Sequence, residues 1–309
     1  MQKISDYDQF DYDYETYWND RSYEHLAEVN VLEPVLKRKS GEWFIDIGGS
    51  FGRLSNTYTK SFEKQVIIDY SLKTLQRNRT KLQKKFPKMQ LVAANVYHLP
   101  FKDAVFDGGL MVRVLHHIEN QENCMKEVAR ILSDGATYFQ EFANKSHVKA
   151  RIRALMKFDF SFFSSEIYQQ PSTGNFEGSK GKASIFLNYH PSYIRELMKK
   201  RGFNILKKFN CSFFRIPLLK KALPPRILLL LEKLLQKGLS WTNLAPSIFY
   251  HTEISNGSKS EVTEKNSLEN ILACPLCKGS LNFSKATASC SECDKKYQMK
   301  DDVWDFRVN

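Results

Sequence analysis

Four cysteines within twenty residues, Cys274, Cys277, Cys290 and Cys293, form two CxxC pairs with twelve residues between them. Two such knuckles present four thiolates to one tetrahedral ion, and a full set of protein ligands leaves no open position, so the spacing predicts a structural zinc. Two redox dithiols are the competing reading; Gly279, the apolar Leu281 and Phe283, and Tyr297 favour a ribbon. The second stretch able to do chemistry is WFIDIGGSFGRL, residues 43–54, an apolar run followed by a glycine-rich turn and the start of a helical pattern. That order lets backbone N–H groups approach a nucleotide-like ligand closely. A DxGGxxG run also occurs as a plain tight turn. Asp69 raises its meaning, because it ends the next apolar run about 21 residues after the turn begins, where a carboxylate can accept from both hydroxyls of an unphosphorylated ribose.

Short apolar runs alternating with helical patterns place these residues. Strands are expected over 43–47, 65–69, 91–94, 109–112 and 137–142, with helices over 71–86 and 120–132, the signature of a parallel sheet with crossover helices. Cys124 falls on the apolar stripe of the second helix and reads as core. A helix over 191–201, stopped by Gly202, leads to strands over 203–209 and 247–252. Residues 144–188, with Phe158, Phe160, Phe162, Phe163 and Tyr168, read as a substrate-binding insertion, and residues 1–40 as an N-terminal lid. The segment 218–239 is leucine-rich, basic and amphipathic, suited to packing on the domain or lying on a membrane surface. Residues 253–267 are polar and aperiodic and read as a linker, which divides the chain into 1–252, the linker, and a ribbon over 268–309.

The stretches DIGGSFGRL (46–54), Asp69, AANVYHLPF (93–101), FDGGLMVRVLHHIEN (106–120) and ARILSDGATYFQEF (129–142) resemble class I S-adenosylmethionine-dependent methyltransferases, nearest to the ubiquinone and menaquinone methylase group. With NYHPSYIRELMKKRGF and LAPSIFY the resemblance covers nearly all of 40–252. It implies a Rossmann-like α/β fold with a mostly parallel seven-stranded sheet, helices on both faces, and a small C-terminal zinc ribbon. Carried onto this chain, Asp46, Gly48, Gly49, Ser50 and Gly52 form the cofactor loop, with Asp46 and Gly48 at the amino-acid portion. Asp69, with Tyr70 beside it, would hold the ribose, Asn95 and Val96 would flank adenine, and Arg113 would border the methionine moiety. Where the family has GxGxG, Ser50 replaces the middle glycine, and a negative φ is expected of it. The cysteine-bearing segment, from ILACPLCKGSL to KKYQMKDDVWDF, resembles Trm112-like zinc ribbons, which act as methyltransferase activators. Here it is fused in one chain.

Methyl transfer needs alignment and exclusion of water more than side-chain chemistry. For a hydroxyl or acidic-carbon acceptor, His116 or His117 is the candidate general base, with Glu141 and His190 behind them, against a structural role for the histidines. Tyr14, Tyr17 and Trp18 are expected either to cover the sulfonium with aromatic faces or to pack on the domain.

The formal charge of +12 divides as −7 over 1–36, +20 over 37–252 and −1 over 253–309. So basic a middle fits RNA, an anionic membrane face, a phosphorylated substrate, or a solvated lysine-rich surface. The longest pure apolar run is short, so no transmembrane segment and no signal peptide are expected, and the expected location is cytoplasmic. The acceptor expected first is a small or lipid-linked metabolite; the alternative is RNA or a translation protein, with the ribbon as fused activator.

Overall fold

The computed structural model describes residues 8, 15–169, 185–255, 257, 260, 262 and 264–308. In chain order the elements are α1 (Ser22–Leu36), β1 (Gly41–Ile47), β2 (Phe62–Asp69), α2 (Leu72–Lys85), β3 (Met89–Ala93), β4 (Phe106–Met111), α3 (Gln121–Ile131) and β5 (Leu132–Ala143). They continue through α4 (Val148–Met156), α5 (Ser161–Ser164), β6 (Ile167–Gln169), β7 (Leu187–Tyr189), α6 (Pro191–Lys199), β8 (Phe203–Cys211), α7 (Pro217–Ala222), α8 (Pro225–Gly238) and β9 (Ser247–Ile254). The C-terminal part holds α9 (Leu268–Ile271), β10 (Leu281–Ser284), β11 (Thr287–Cys290), β12 (Lys296–Lys300) and β13 (Val303–Asp305).

Strands β3, β2, β1, β4 and β5 run parallel, and β9 is antiparallel to both β5 and β8. The core of the sheet is mostly parallel, as expected, but the expectation of a seven-stranded sheet needs correction: the sheet has eleven strands. β10 to β13 extend it beyond β3, because β13 pairs in parallel with that edge, Trp304 opposite Val92 and Asp305 opposite Ala93. A bare β3 would leave a row of unpaired N–H and C=O groups. β13, the last strand, covers them.

Alternation along β1 sends Trp43, Ile45 and Ile47 to one core and Phe44 to the other. The first core also contains Cys124, Cys274, Trp304 and Phe306, so it runs from the parallel sheet into the C-terminal strands without a break. The second contains Ala27, Val31, Leu32 and Leu36 of α1, a helix where the sequence suggested a lid. Residues four apart on one face bury that stripe against the sheet. Side chains satisfy the first turns of three helices: Ser71 accepts from the Thr74 N–H, Asn120 from Asn123, and His190 from Ser192. The segment 218–239 forms two helices, broken where Pro224 and Pro225 remove backbone donors. Among the described residues, no helix is long and apolar enough to cross a membrane.

Candidate active site

The turn after β1 is built by backbone close to its neighbours. The N–H groups of Gly48 and Gly49 both donate to the Ile68 carbonyl, at 2.8 and 3.2 Å. Gly48 has φ +72°, and a Cβ there would lie 2.2 Å from Cγ2 of Val114. Ser50 departs from the sequence expectation: its φ is +50°, the left-handed region. Its N–H donates to Asp69 Oδ2 at 3.0 Å, which fixes the conformation a glycine would adopt without strain.

The turn opens on a cleft lined by Asp46, Gly48, Gly49, Ser50, Asp69, Tyr70, Asn95, Val96, Arg113 and His117, together with Trp18 and Arg53. Thus nearly all of the predicted cofactor residues meet at one place. Gly52 does not line it; a Cβ there would meet Leu82 and Ser55 in the helix-facing interior. Asp69 takes the Ser71 N–H on Oδ1 at 2.9 Å and the Ser50 N–H on Oδ2, which orients both oxygens while leaving each a further lone pair. Burial nevertheless pushes its carboxyl up to about 6. Burial also pushes Asp46 up to about 7, against the opposing Tyr58 hydroxyl that donates to it at 2.9 Å. Two such carboxylates gain from a cationic ligand that replaces lost solvation.

Residues 45–139 match the family described as a methyltransferase domain. An uncharacterized protein of Methanocaldococcus jannaschii is 32% identical over 120 residues, which are 39% of this chain and 49% of that protein. O-methyltransferase cnsE of Penicillium expansum is 29% identical over 129 residues, 39% of this chain and 47% of the fungal protein. The chain thus spans about half the length of these two relatives. A chain from a complex containing the Haloferax volcanii Trm112 methyltransferase activator superposes with TM-score 0.51 at 14% identity, covering 79% of this chain and 99% of the other. That is a likeness of fold, and the fold is the α/β one of class I S-adenosylmethionine-dependent methyltransferases.

Within the matched stretch 45–139, Arg113 occupies a left-handed backbone position, φ +66°, just after β4. Its guanidinium is held by Glu28 Oε1, with Nε at 2.7 Å, while Arg53 takes Glu28 Oε2. Glu28 is fully buried, and the two guanidinium groups hold its carboxyl below the usual carboxylate range despite that burial. Neither Glu28 nor Arg53 was legible as a site residue, since the pairing depends on where α1 docks. Arg53 also lies over the Trp18 ring, 3.6 Å from its centroid, and Arg21 over Tyr17 at 3.9 Å. Both aromatic faces are therefore already occupied by arginines; Tyr14 lies outside the described residues. A third guanidinium, Arg215 after β8, is depressed by the adjacent Arg113 charge and by burial. Glu24, which faces it, is paired with Lys220 at 2.9 Å.

The two histidines divide. His117 lines the cleft, its Nδ1 3.0 Å from the Ile185 carbonyl oxygen, and burial pushes it down to about 4. His116 is not a cleft residue: it is buried against His117 and Phe186, its Nδ1 has no partner among the described residues, and burial depresses it strongly. Both are neutral imidazoles at neutral pH. Glu141 accepts the Arg113 N–H at 2.9 Å and the Ser247 hydroxyl, and His190 caps α6. Those are positioning and capping roles.

At the far end of the sheet, Cys274, Cys277, Cys290 and Cys293 place their Sγ atoms within 4.8 Å of one another, with three pairs at 3.4 to 3.6 Å. A tetrahedral ion with metal–sulfur bonds of about 2.3 Å has sulfur–sulfur edges of about 3.8 Å, so the cluster is nearly the right size. The cysteine-bearing segment is held to the rest of the fold by Lys278, which reaches Glu127 at 2.7 Å, and by the Ala273 N–H to the Pro100 carbonyl at 3.0 Å. Its C-terminal end reaches the cleft wall: the Asn95 amide donates to the Val308 carbonyl at 3.1 Å, and Arg307 lies over Tyr70. The supposed linker is pinned at its end, where the Trp43 indole donates to the Lys265 carbonyl at 2.8 Å.

Proposed function

We propose that this chain transfers a methyl group from S-adenosylmethionine to a small or lipid-linked acceptor, as a member of the group resembling ubiquinone and menaquinone methylases. The observation that carries the reading is Asp69, a carboxylate at the end of β2 oriented by two backbone N–H groups over the Gly48–Ser50 turn. In this reading Asp69 accepts from the ribose hydroxyls. Asp46 faces the ammonium of the methionine portion, Val96 and the wall at Asn95 border adenine, and Tyr70 flanks the ribose. Bound S-adenosylmethionine supplies an electrophilic methyl on a sulfonium. Arg113, its guanidinium held by the Glu28 carboxylate that it shares with Arg53, borders the methionine portion. His117, neutral and on the cleft wall, is the residue placed to take an acceptor proton, its low basicity suiting an acceptor that is already acidic.

The four cysteines, in this reading, hold a structural zinc in a Trm112-like ribbon, a thiolate site suited to the reducing cytoplasm. The domains are 1–252 and 268–309, joined through 253–267. The second reading, methylation of RNA or a translation protein, is favoured by the fused ribbon and the basic surface. Incubation with S-adenosylmethionine labelled on its methyl, plus cell extract divided into lipid, small-molecule, RNA and protein fractions, separates them. Label in the lipid or small-molecule fraction supports the first reading; label in RNA or protein alone replaces it with the second.

A further inference from the structure

The carboxyl end of the sheet, where the cleft opens, carries an apolar rim that stands exposed among the described residues. β5 ends at Ala143 and β8 at Cys211, both opposite Ser247 at the start of β9, so the segments leaving β5 and β8 emerge side by side. The Val148 N–H at the start of α4 donates to the Leu244 carbonyl, and Lys208 donates to the Trp241 and Thr242 carbonyls, which ties α4 and the loop after α8 to one edge. Met156, Phe158, Leu218 and Trp241 are 76%, 78%, 74% and 80% exposed. On α8, Ile227, Leu230 and Leu234 face outward while Leu228, Glu232 and Gln236 face inward, so the helix has two apolar-bearing faces and only one is packed.

Charge identifies what covers the rim. Between residues 215 and 241 there are six basic residues and one acid, Glu232, which is buried and spent on Tyr23 and the N–H groups of Ser212 and Phe213. Lys221, Arg226, Lys233 and Lys237 are exposed among the leucines, and Lys149, Arg151, Arg153 and Lys157 stand among the apolar residues of α4. A protein partner's apolar patch would not require so one-sided a charge, and a nucleic acid would not use so many exposed leucines. Apolar side chains immersed to a shallow depth with lysine and arginine at phosphate level describe an interfacial helix on anionic lipid.

We infer that α4, α7, α8 and the Trp241 loop form a docking surface for an anionic phospholipid bilayer, which brings the mouth of the cleft to the membrane. The surface stands on its own geometry. A lipid-linked acceptor would reach the cleft along it, but docking does not depend on that acceptor.

The test is co-flotation of the full, metal-loaded chain with vesicles of phosphatidylcholine alone or with ~30% phosphatidylglycerol, with tryptophan fluorescence in parallel. Binding to the anionic vesicles, a blue shift that Trp241→Phe removes, and partitioning weakened about tenfold or more by Leu218→Ser with Trp241→Ser are expected. A Lys221→Glu, Lys237→Glu variant keeps the apolar face intact and should lose a similar factor. No flotation with anionic vesicles, variants that float like the parent, or salt-sensitive RNA binding without vesicle binding would overturn the inference. The readout needs no methyl transfer, so its failure is distinct from failure of the methyltransferase reading.

Discussion

Replacing Glu28 with glutamine removes the carboxylate that bridges two guanidinium groups while preserving shape. Glu28 is fully buried and accepts from Arg113 and Arg53 on separate oxygens. Hydrogen bonds to charged groups contribute about 1.5–3 kcal/mol each, and breaking a buried pair by removing one partner costs about 3–5 kcal/mol. Glutamine keeps one acceptor oxygen but turns an NH2 toward the other guanidinium. A loss of about 3 kcal/mol is therefore expected for Glu28→Gln and somewhat more for Glu28→Ala. Urea unfolding at neutral pH followed by circular dichroism measures it. Because the folded carboxyl is held below its ordinary value, its contribution is present above about pH 4.3 and lost as pH falls through the depressed value. The gap between wild type and Glu28→Gln should thus be constant near neutrality and close in acid. A loss under about 1 kcal/mol, the range of exposed pairs, would refute the reasoning.

Gly48→Ala combines a left-handed φ with a Cβ 2.2 Å from Val114; strain and overpacking together predict a loss of about 2–5 kcal/mol, read by the same unfolding assay. Removing metal with a thiol-competing chelator should release the cysteine knuckles and speed amide exchange at Val92 and Asp305, where β3 and β13 pair; unchanged exchange would mean the strands hold without the ion. Burial raises Asp46 to about 7 and Asp69 to about 6, so affinity for S-adenosylmethionine should fall as pH drops from about 8 to about 5.5. The same raised values make the neutral forms the stabilising ones: ligand-free stability should decline as pH rises through 6 and 7, most simply seen in melting temperature against pH.

Local patterns carried most of the α/β sheet and its crossover helices. The strand-turn run at 43–54 and the carboxylate at 69 announce themselves because close backbone approach at the turn restricts the residue types there and the carboxylate ends the next apolar run. The same holds for the CxxC pairs, which needed only spacing. What stayed hidden depends on contacts distant in sequence. Glu28 is an ordinary helix glutamate until α1 brings it to Arg53 and Arg113, and β13 is three residues of a ribbon until it meets β3. Ser50 could not be assigned its positive φ because the Asp69 carboxylate that holds its N–H lies a whole strand away. His116 and His117 are identical neighbours in sequence, and the 3-10 turn that carries them sends one into the core and one to the cleft wall.

The most direct test is calorimetric titration of S-adenosylmethionine into the metal-loaded chain and into Asp69→Ala. The account predicts micromolar binding by the parent, about −8 kcal/mol, weakened at least about a hundredfold in the variant, where two ribose hydrogen bonds to a charged group are lost. No binding by the parent, or equal binding by both, would contradict it.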